Sequence, residues 1–235
     1  IGEGEVILNA TAGEFNNNIL ASGGTVVVKN LTVRGKVTES RIRLECESDG
    51  HIVVDNWNFP DGSETDDRSR AFYSPRDHAG VVEIHNCYIA EFSDNGIYAS
   101  APGNGPSHSI SGEGAQIGIE SSYGENNTVA DFRIGTDGSY VRNSVSVDNQ
   151  HRSMWGYYEN TSATNCDFTN SVVCGGSSHP KQDTASITLN NCRVGGGLQG
   201  NIQGSSAGAP DTTPPQNVPM SAQEAANGRY YSEPP

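Results

Sequence analysis

The chain has 235 residues, with 28 acidic against 14 basic for a net charge of −14, and only 34% hydrophobic residues beside 28 glycines. So little apolar material argues against a thick globular core. The absence of a basic stripe to neutralise phosphates excludes nucleic acid as a partner, and no apolar run is long enough for membrane insertion.

Lys29, Lys36 and Lys181 are the lysines, which leaves eleven arginines among the fourteen basic residues. A dispersed acidic surface with scarce lysine suits a protein kept soluble in concentrated salt by self-repulsion and ion hydration. An ordinary acidic extracellular protein would share that balance.

Residues 1–22 form an N-terminal capping segment. Its string Glu5-Val-Ile-Leu-Asn9 is expected to cover an open first coil. The start at Ile1 is read as processing or truncation.

From residue 23 a frame recurs around asparagine. Val26, Val28, Leu31 and Val33 surround Asn30; Ile52, Val54, Trp57 and Phe59 surround Asn56; Val82, Ile84, Cys87 and Ile89 surround Asn86. Asn165 and Asn191 repeat it, and Asn143 fits less well because Ser146 stands at its third position. The spacings are 26, 30, 57, 22 and 26, with the 57 counted as two coils. A fixed period of this size marks a solenoid, in which each repeat buries its apolar face against its neighbours. Alternation within each frame specifies strand rather than helix.

The predicted fold is therefore all-β: a single-stranded right-handed parallel β-helix of about eight coils over residues 23–203, with strands roughly 4.8 Å apart. Val28, Val54, Ile84, Val141, Ala163 and Leu189 form one apolar column, and Val33, Phe59, Ile89, Phe168 and Val194 a second. Asn30, Asn56, Asn86, Asn143, Asn165 and Asn191 form a structural ladder at the bend between them.

Residues 60–80 read as the longest excursion from a coil. Asp94-Asn95-Gly96 reads as a tight turn. Cys87, Cys166 and Cys192 follow ladder asparagines and are read as small core hydrophobes. A Cys166–Cys192 disulfide on adjacent coils is left open. Residues 204–235 hold six of the eleven prolines and form an extended tail. Within it Ser221 to Gly228 carries a capping-box start and a glycine stop, which predicts one short helix capping the C-terminal coil. Glycosylation sequons begin at Asn9, Asn30, Asn126 and Asn160; Asn30 should be inaccessible, and Asn126 and Asn160 are the acceptors expected in turns.

The stretches Phe72-Tyr-Ser-Pro-Arg-Asp-His-Ala-Gly80, Ile84-His-Asn-Cys-Tyr-Ile89, Phe92-Ser-Asp-Asn-Gly-Ile-Tyr-Ala-Ser100, Asn126–Gly135 and Gly138–Asn143 resemble haloarchaeal right-handed β-helix proteins of the pectin-lyase-like fold. The resemblance covers roughly residues 23–195. It implies the fold, an extracellular, cell-surface or virion-surface setting and a high-salt habitat, but no settled activity. Enzymes and tail spikes on this fold act on polysaccharides, although fold does not fix function.

Asp61, Glu64, Asp66 and Asp67 on the excursion are candidates for the acid pair of a glycosidase, since clustered carboxylates raise one another's pKa. A β-eliminating lyase would need a basic residue beside Ca²⁺, for which Arg68, Arg70 and Arg76 lie near in sequence, with Asp66 and Asp67 as Ca²⁺ ligands. A solvated acidic loop explains the same residues. The Gly-His-Gly and Arg-Ile-Lys segments of polygalacturonases are absent, since Arg133-Ile-Gly135 stops short. The histidines have no zinc-binding spacing, so Ca²⁺ is the one cofactor considered. Trp155, Tyr157 and Tyr158, placed in a loop between coils, and Phe72 and Tyr73 are candidates for glycan binding through outward aromatic faces. They could equally clamp loops or fill a subunit interface.

The expected function is a non-catalytic surface module that recognises a polysaccharide or surface glycan, or builds a surface assembly as a trimer or fibre. The alternatives are a polysaccharide lyase or glycosidase acting on acidic surface polysaccharide, and a purely structural spike subunit.

Overall fold

A computed structural model describes residues 6–10, 15–38, 40–64, 68–104, 112–175 and 185–227. The chain winds as a parallel β-helix whose strands stack into three faces. Gly24–Arg34 and Gly50–Phe59 each turn a corner and supply both the first and the second face. The first face continues with Val81–His85, Gln116–Glu120, Tyr140–Arg142, Asn160–Thr164, Ser186–Asn190 and Ile202–Gln203. The second begins with Ile7–Asn9 and continues with Tyr88–Ala90, Tyr123–Glu125, Val145–Val147, Asp167–Phe168 and Arg193–Val194. The third is an eight-stranded sheet of Phe15–Ala21, Ser40–Cys46, Phe72–Tyr73, Asn95–Ala99, Ala130–Ile134, Arg152–Gly156, Ser171–Cys174 and Leu198–Gln199. The face-three sheet has eight strands, and all described pairing between strands is parallel, as the repeat predicts.

The first apolar column stacks in register, Val28 on Val54, Val54 on Ile84 and onward through Ile119, Val141 and Ala163 to Leu189. Each ladder asparagine sits at the corner between faces one and two with φ between 48° and 62°. This left-handed region penalises most side chains, and asparagine tolerates it. Ser121 (φ 49°) occupies the rung hidden in the 57-residue gap. Asn56 donates to Asn30 (2.9 Å), Asn165 to Asn143 (3.1 Å) and Asn191 to Asn165 (2.8 Å). The ladder breaks in the middle, where Asn86 donates to Asp55 and Asn143 to Glu120. Asn30 is buried, as its place in the ladder predicts.

From Asn86 onward, the position after the ladder residue is more than a small apolar plug; in the first two rungs it is Leu31 and Trp57. Cys87, Ser122, Ser144, Cys166 and Cys192 each direct a thiol or hydroxyl at the carbonyl two residues earlier, at 2.7–3.4 Å. Serine and cysteine alternate there because both are small and both donate. All five cysteines are buried and free.

Four sequence expectations are corrected. The solenoid begins before residue 23: Phe15–Ala21 is the first rung of face three, while Ile7–Asn9 pairs with the edge of Gly24–Arg34 and so covers the first coil as expected. Asn95-Gly96 is not a tight turn but opens a face-three strand. A Cβ at Gly96 would lie 3.0 Å from Asn127 Nδ2 and 3.1 Å from Ile89, so packing rather than turn geometry requires the glycine. The excursion also rejoins the solenoid earlier than expected, with Ser63 bridging Val37 and Phe72–Tyr73 forming a rung.

The fourth concerns the helix, α1 (Ala222–Ala226), which begins as predicted at Ser221, whose Oγ accepts from Glu224 N. It does not cap the C-terminal coil. The tail doubles back along the outside of face two: Ser206 bridges Cys192, Asp211 N donates to Asp167, and Val218 packs on Tyr88, Tyr123, Val145 and Val147. α1 then lies against Gly24–Arg34 and Gly50–Phe59 near the opposite end, where Asn56 donates to the Ala225 carbonyl. The tail is a strap along much of the solenoid.

Candidate functional site

The proposed acidic site does not come together. Asp61 accepts a hydrogen bond from Gly35 N (2.7 Å) and so anchors a turn. Glu64 is exposed, with its backbone bonded to Val37. Asp66 and Asp67 lie outside the described residues. Arg70 pairs instead with Asp94 (3.1 Å), and Arg76 with Asp77 (3.3 Å). Among the described residues no group of three or more His, Cys, Asp or Glu is arranged to hold a metal ion.

The aromatic candidates are rearranged more than removed. Phe72 is 1% exposed in the core, packed against Trp57 and Phe59, and has no face to offer a ligand. Tyr157 and Tyr158 are buried as well. Trp155 is not in a loop; it lies on the strand Arg152–Gly156 of face three, half-buried, with its indole N–H donating to Gly175 O (2.7 Å).

What this strand carries is an outward row. Along face three, side chains alternate between core and exterior. Ile97, Phe132 and Met154 stack inward, each essentially unexposed. The next positions in register, on the opposite side of the sheet, are Arg43, Tyr73, Tyr98, Arg133, Trp155, Val173 and Gln199, one per rung. Tyr73 and Tyr98 rings are 5.7 Å apart, and Arg70 lies 5.3 and 5.2 Å from them. Arg133 is held by Tyr98 (4.1 Å), Trp155 (4.3 Å) and Tyr157 (4.1 Å), and its Nε donates to Ser100 Oγ. Arg152 lies 4.0 Å from the same indole.

The row sets rings and guanidiniums at rung spacing, roughly 4.8 Å, along one side of face three. At its edge burial pushes the Asp94 carboxyl above its usual range, opposed by Arg70, Arg133 and Arg68. Tyr98 and Arg152 were not singled out by sequence, and Arg133 was read only as the start of a segment that stops short of a polygalacturonase motif. The signal available was the 35- and 22-residue offsets that place Tyr98, Arg133 and Trp155 on consecutive rungs.

Of the glycosylation candidates, Asn160 is exposed at the start of a first-face strand. Asn126 is half-buried at the corner between faces two and three (φ 52°), its amide donating to Glu91. Comparison of the chain with protein-family models, with curated proteins and with solved structures finds no match.

Proposed function

We propose that this chain is an extracellular or virion-surface module of a high-salt organism that recognises an extended glycan along the outer side of face three. The observation that carries the reading is the register of Tyr73, Tyr98, Arg133 and Trp155 on four successive rungs. Aromatic faces pack on sugar rings, and the guanidiniums between them hydrogen-bond hydroxyl and acidic groups. The acidic, lysine-poor composition supports the high-salt setting. The reading is non-catalytic because the described carboxylates in ion-pair contact with the arginines of the row, Glu45, Asp77 and Asp94, are held in pairs with Arg43, Arg76 and Arg70.

The test is retention of the protein on surface polysaccharide from haloarchaeal cells in molar salt. Trp155→Ala and Tyr98→Ala should each weaken retention at least tenfold with secondary structure intact. Unchanged retention in both variants rejects this surface, and shortened polysaccharide chains would favour the depolymerase alternative.

A further inference from the structure

We infer that the upper part of this row, at Arg133 and Arg152, is a subsite for a fixed anionic group of the glycan, a carboxylate or a sulfate ester; this rests on the glycan-recognition reading above. On a protein with 28 acidic residues, the other half-buried arginines of face three's exterior are neutralised locally: Arg70 pairs with Asp94. Arg43, also part-buried, pairs with Glu45.

Arg133 and Arg152 differ. Arg133 is 8% exposed and Arg152 half-buried, yet among the described residues neither meets a carboxylate within ion-pair distance. Both guanidiniums lie against the indole of Trp155, at 4.3 and 4.0 Å. Arg152 Nε is buried without a hydrogen-bond partner. Burial lowers the Arg152 pKa, and the Arg133 charge lowers it further.

Crowding two like charges in a partly dehydrated place is unfavourable unless a negative charge completes the arrangement. The exposed arginines elsewhere, such as Arg142, obtain that compensation from water and salt. Cation–π contacts with Tyr98, Trp155 and Tyr157 hold the Arg133 side chain in place, so the ligand need not order it. Guanidinium donors suit the oxygens of a carboxylate or sulfate, which accept two parallel hydrogen bonds. A neutral sugar would leave the repulsion unrelieved.

The experiment uses the full chain and two pairs of soluble polymers: polygalacturonate with its carboxyl-reduced counterpart, and dextran sulfate with dextran. Affinities are measured by titration calorimetry at several salt concentrations, for the parent and for Arg152→Gln, with circular dichroism as the folding check. The parent should bind at least one anionic polymer tenfold or more tightly than its neutral partner. Preference for polygalacturonate alone identifies a carboxylate, and for dextran sulfate alone a sulfate. Arg152→Gln should lose most of that preference, the affinity for the charged polymer falling toward that for its neutral partner. Equal binding of charged and neutral partners, or an unchanged preference in Arg152→Gln, overturns the anionic subsite and leaves glycan recognition standing. Loss of the preference in a control Arg142→Gln as well would show general charge attraction and also overturn it. Failure of all four polymers to bind overturns both readings.

Discussion

Replacing Asp131 with asparagine removes a carboxylate from the interior of the solenoid and should flatten its stability between pH 5 and pH 8. Asp131 is 1% exposed and sits where the second apolar column is interrupted by Gly124 and Ser146. A Cβ at Gly124 would lie 2.5 Å from the Asp131 Cβ, so the glycine makes room for it. Ser146 Oγ donates to the carboxylate, as do Asn127 (2.7 Å) and Asn149 (3.3 Å). Burial nonetheless wins over these donors and raises the pKa from 3.8 to about 7. The folded state thus keeps a proton that the unfolded chain releases near 3.8. Its contribution is complete below that pH and is lost as pH rises through about 7. The full displacement of about three units at 1.36 kcal/mol each is about 4 kcal/mol, of which the two units between pH 5 and about 7, or about 3 kcal/mol, fall in the accessible window. Urea unfolding followed by circular dichroism at constant high salt, at pH 5, 6, 7 and 8, measures it. The parent should lose stability across this range. Asp131→Asn should lose much less and become the more stable protein at pH 8. Cys192, whose pKa is lowered to about 7 by its hydrogen bond with Cys166, titrates in the same window with the opposite sign. The difference between parent and variant, rather than the parent's slope alone, is therefore decisive. Parallel slopes in the two proteins would refute the reasoning.

Three further outcomes are expected. Asn165→Ala should cost about 1–2 kcal/mol more than Asn165→Gly, because both lose the ladder bonds but only alanine strains the left-handed corner; equal unfolding midpoints would contradict that. Ser144→Cys should stay within about 1 kcal/mol of the parent, since a thiol can still donate to the Arg142 carbonyl, whereas Ser144→Ala removes the donor and should be the less stable in the same titration. Val218→Asp places a charge against Tyr88, Tyr123, Val145 and Val147 and should release the strap, seen as faster subtilisin cleavage in the tail with the solenoid intact; an unchanged cleavage rate would show that Val218 does not hold it.

The candidate surface was legible only in part. Trp155 was found as an aromatic near others, but its neighbours in space, Tyr98 and Arg133, lie 57 and 22 residues earlier. Linear spacing gives no warning that these belong to one row until the rung register is known. Phe72 and Tyr73 show the converse: adjacent in sequence, they point to opposite sides of a strand, so one is core and the other surface. The acidic run at 61–67 looked dense because its members are neighbours in the chain. Asp61 spends its carboxylate on Gly35, a contact 26 residues away.

The sequence by itself determined the solenoid and the asparagine corner, because these are local constraints repeated at one period. A left-handed backbone position selects asparagine, and alternation sorts each strand into core and exterior. The short helix was likewise written into its capping residues. Only the tertiary structure decided where that helix goes, because its buried Ala222 and Ala225 are satisfied by any apolar site within the tail's reach. The same holds for Ser121 in the ladder and for Asp131 inside the core, where an individual side chain departs from the repeat. A period specifies what recurs; the exceptions are fixed by what each meets one rung above, one rung below and across the interior.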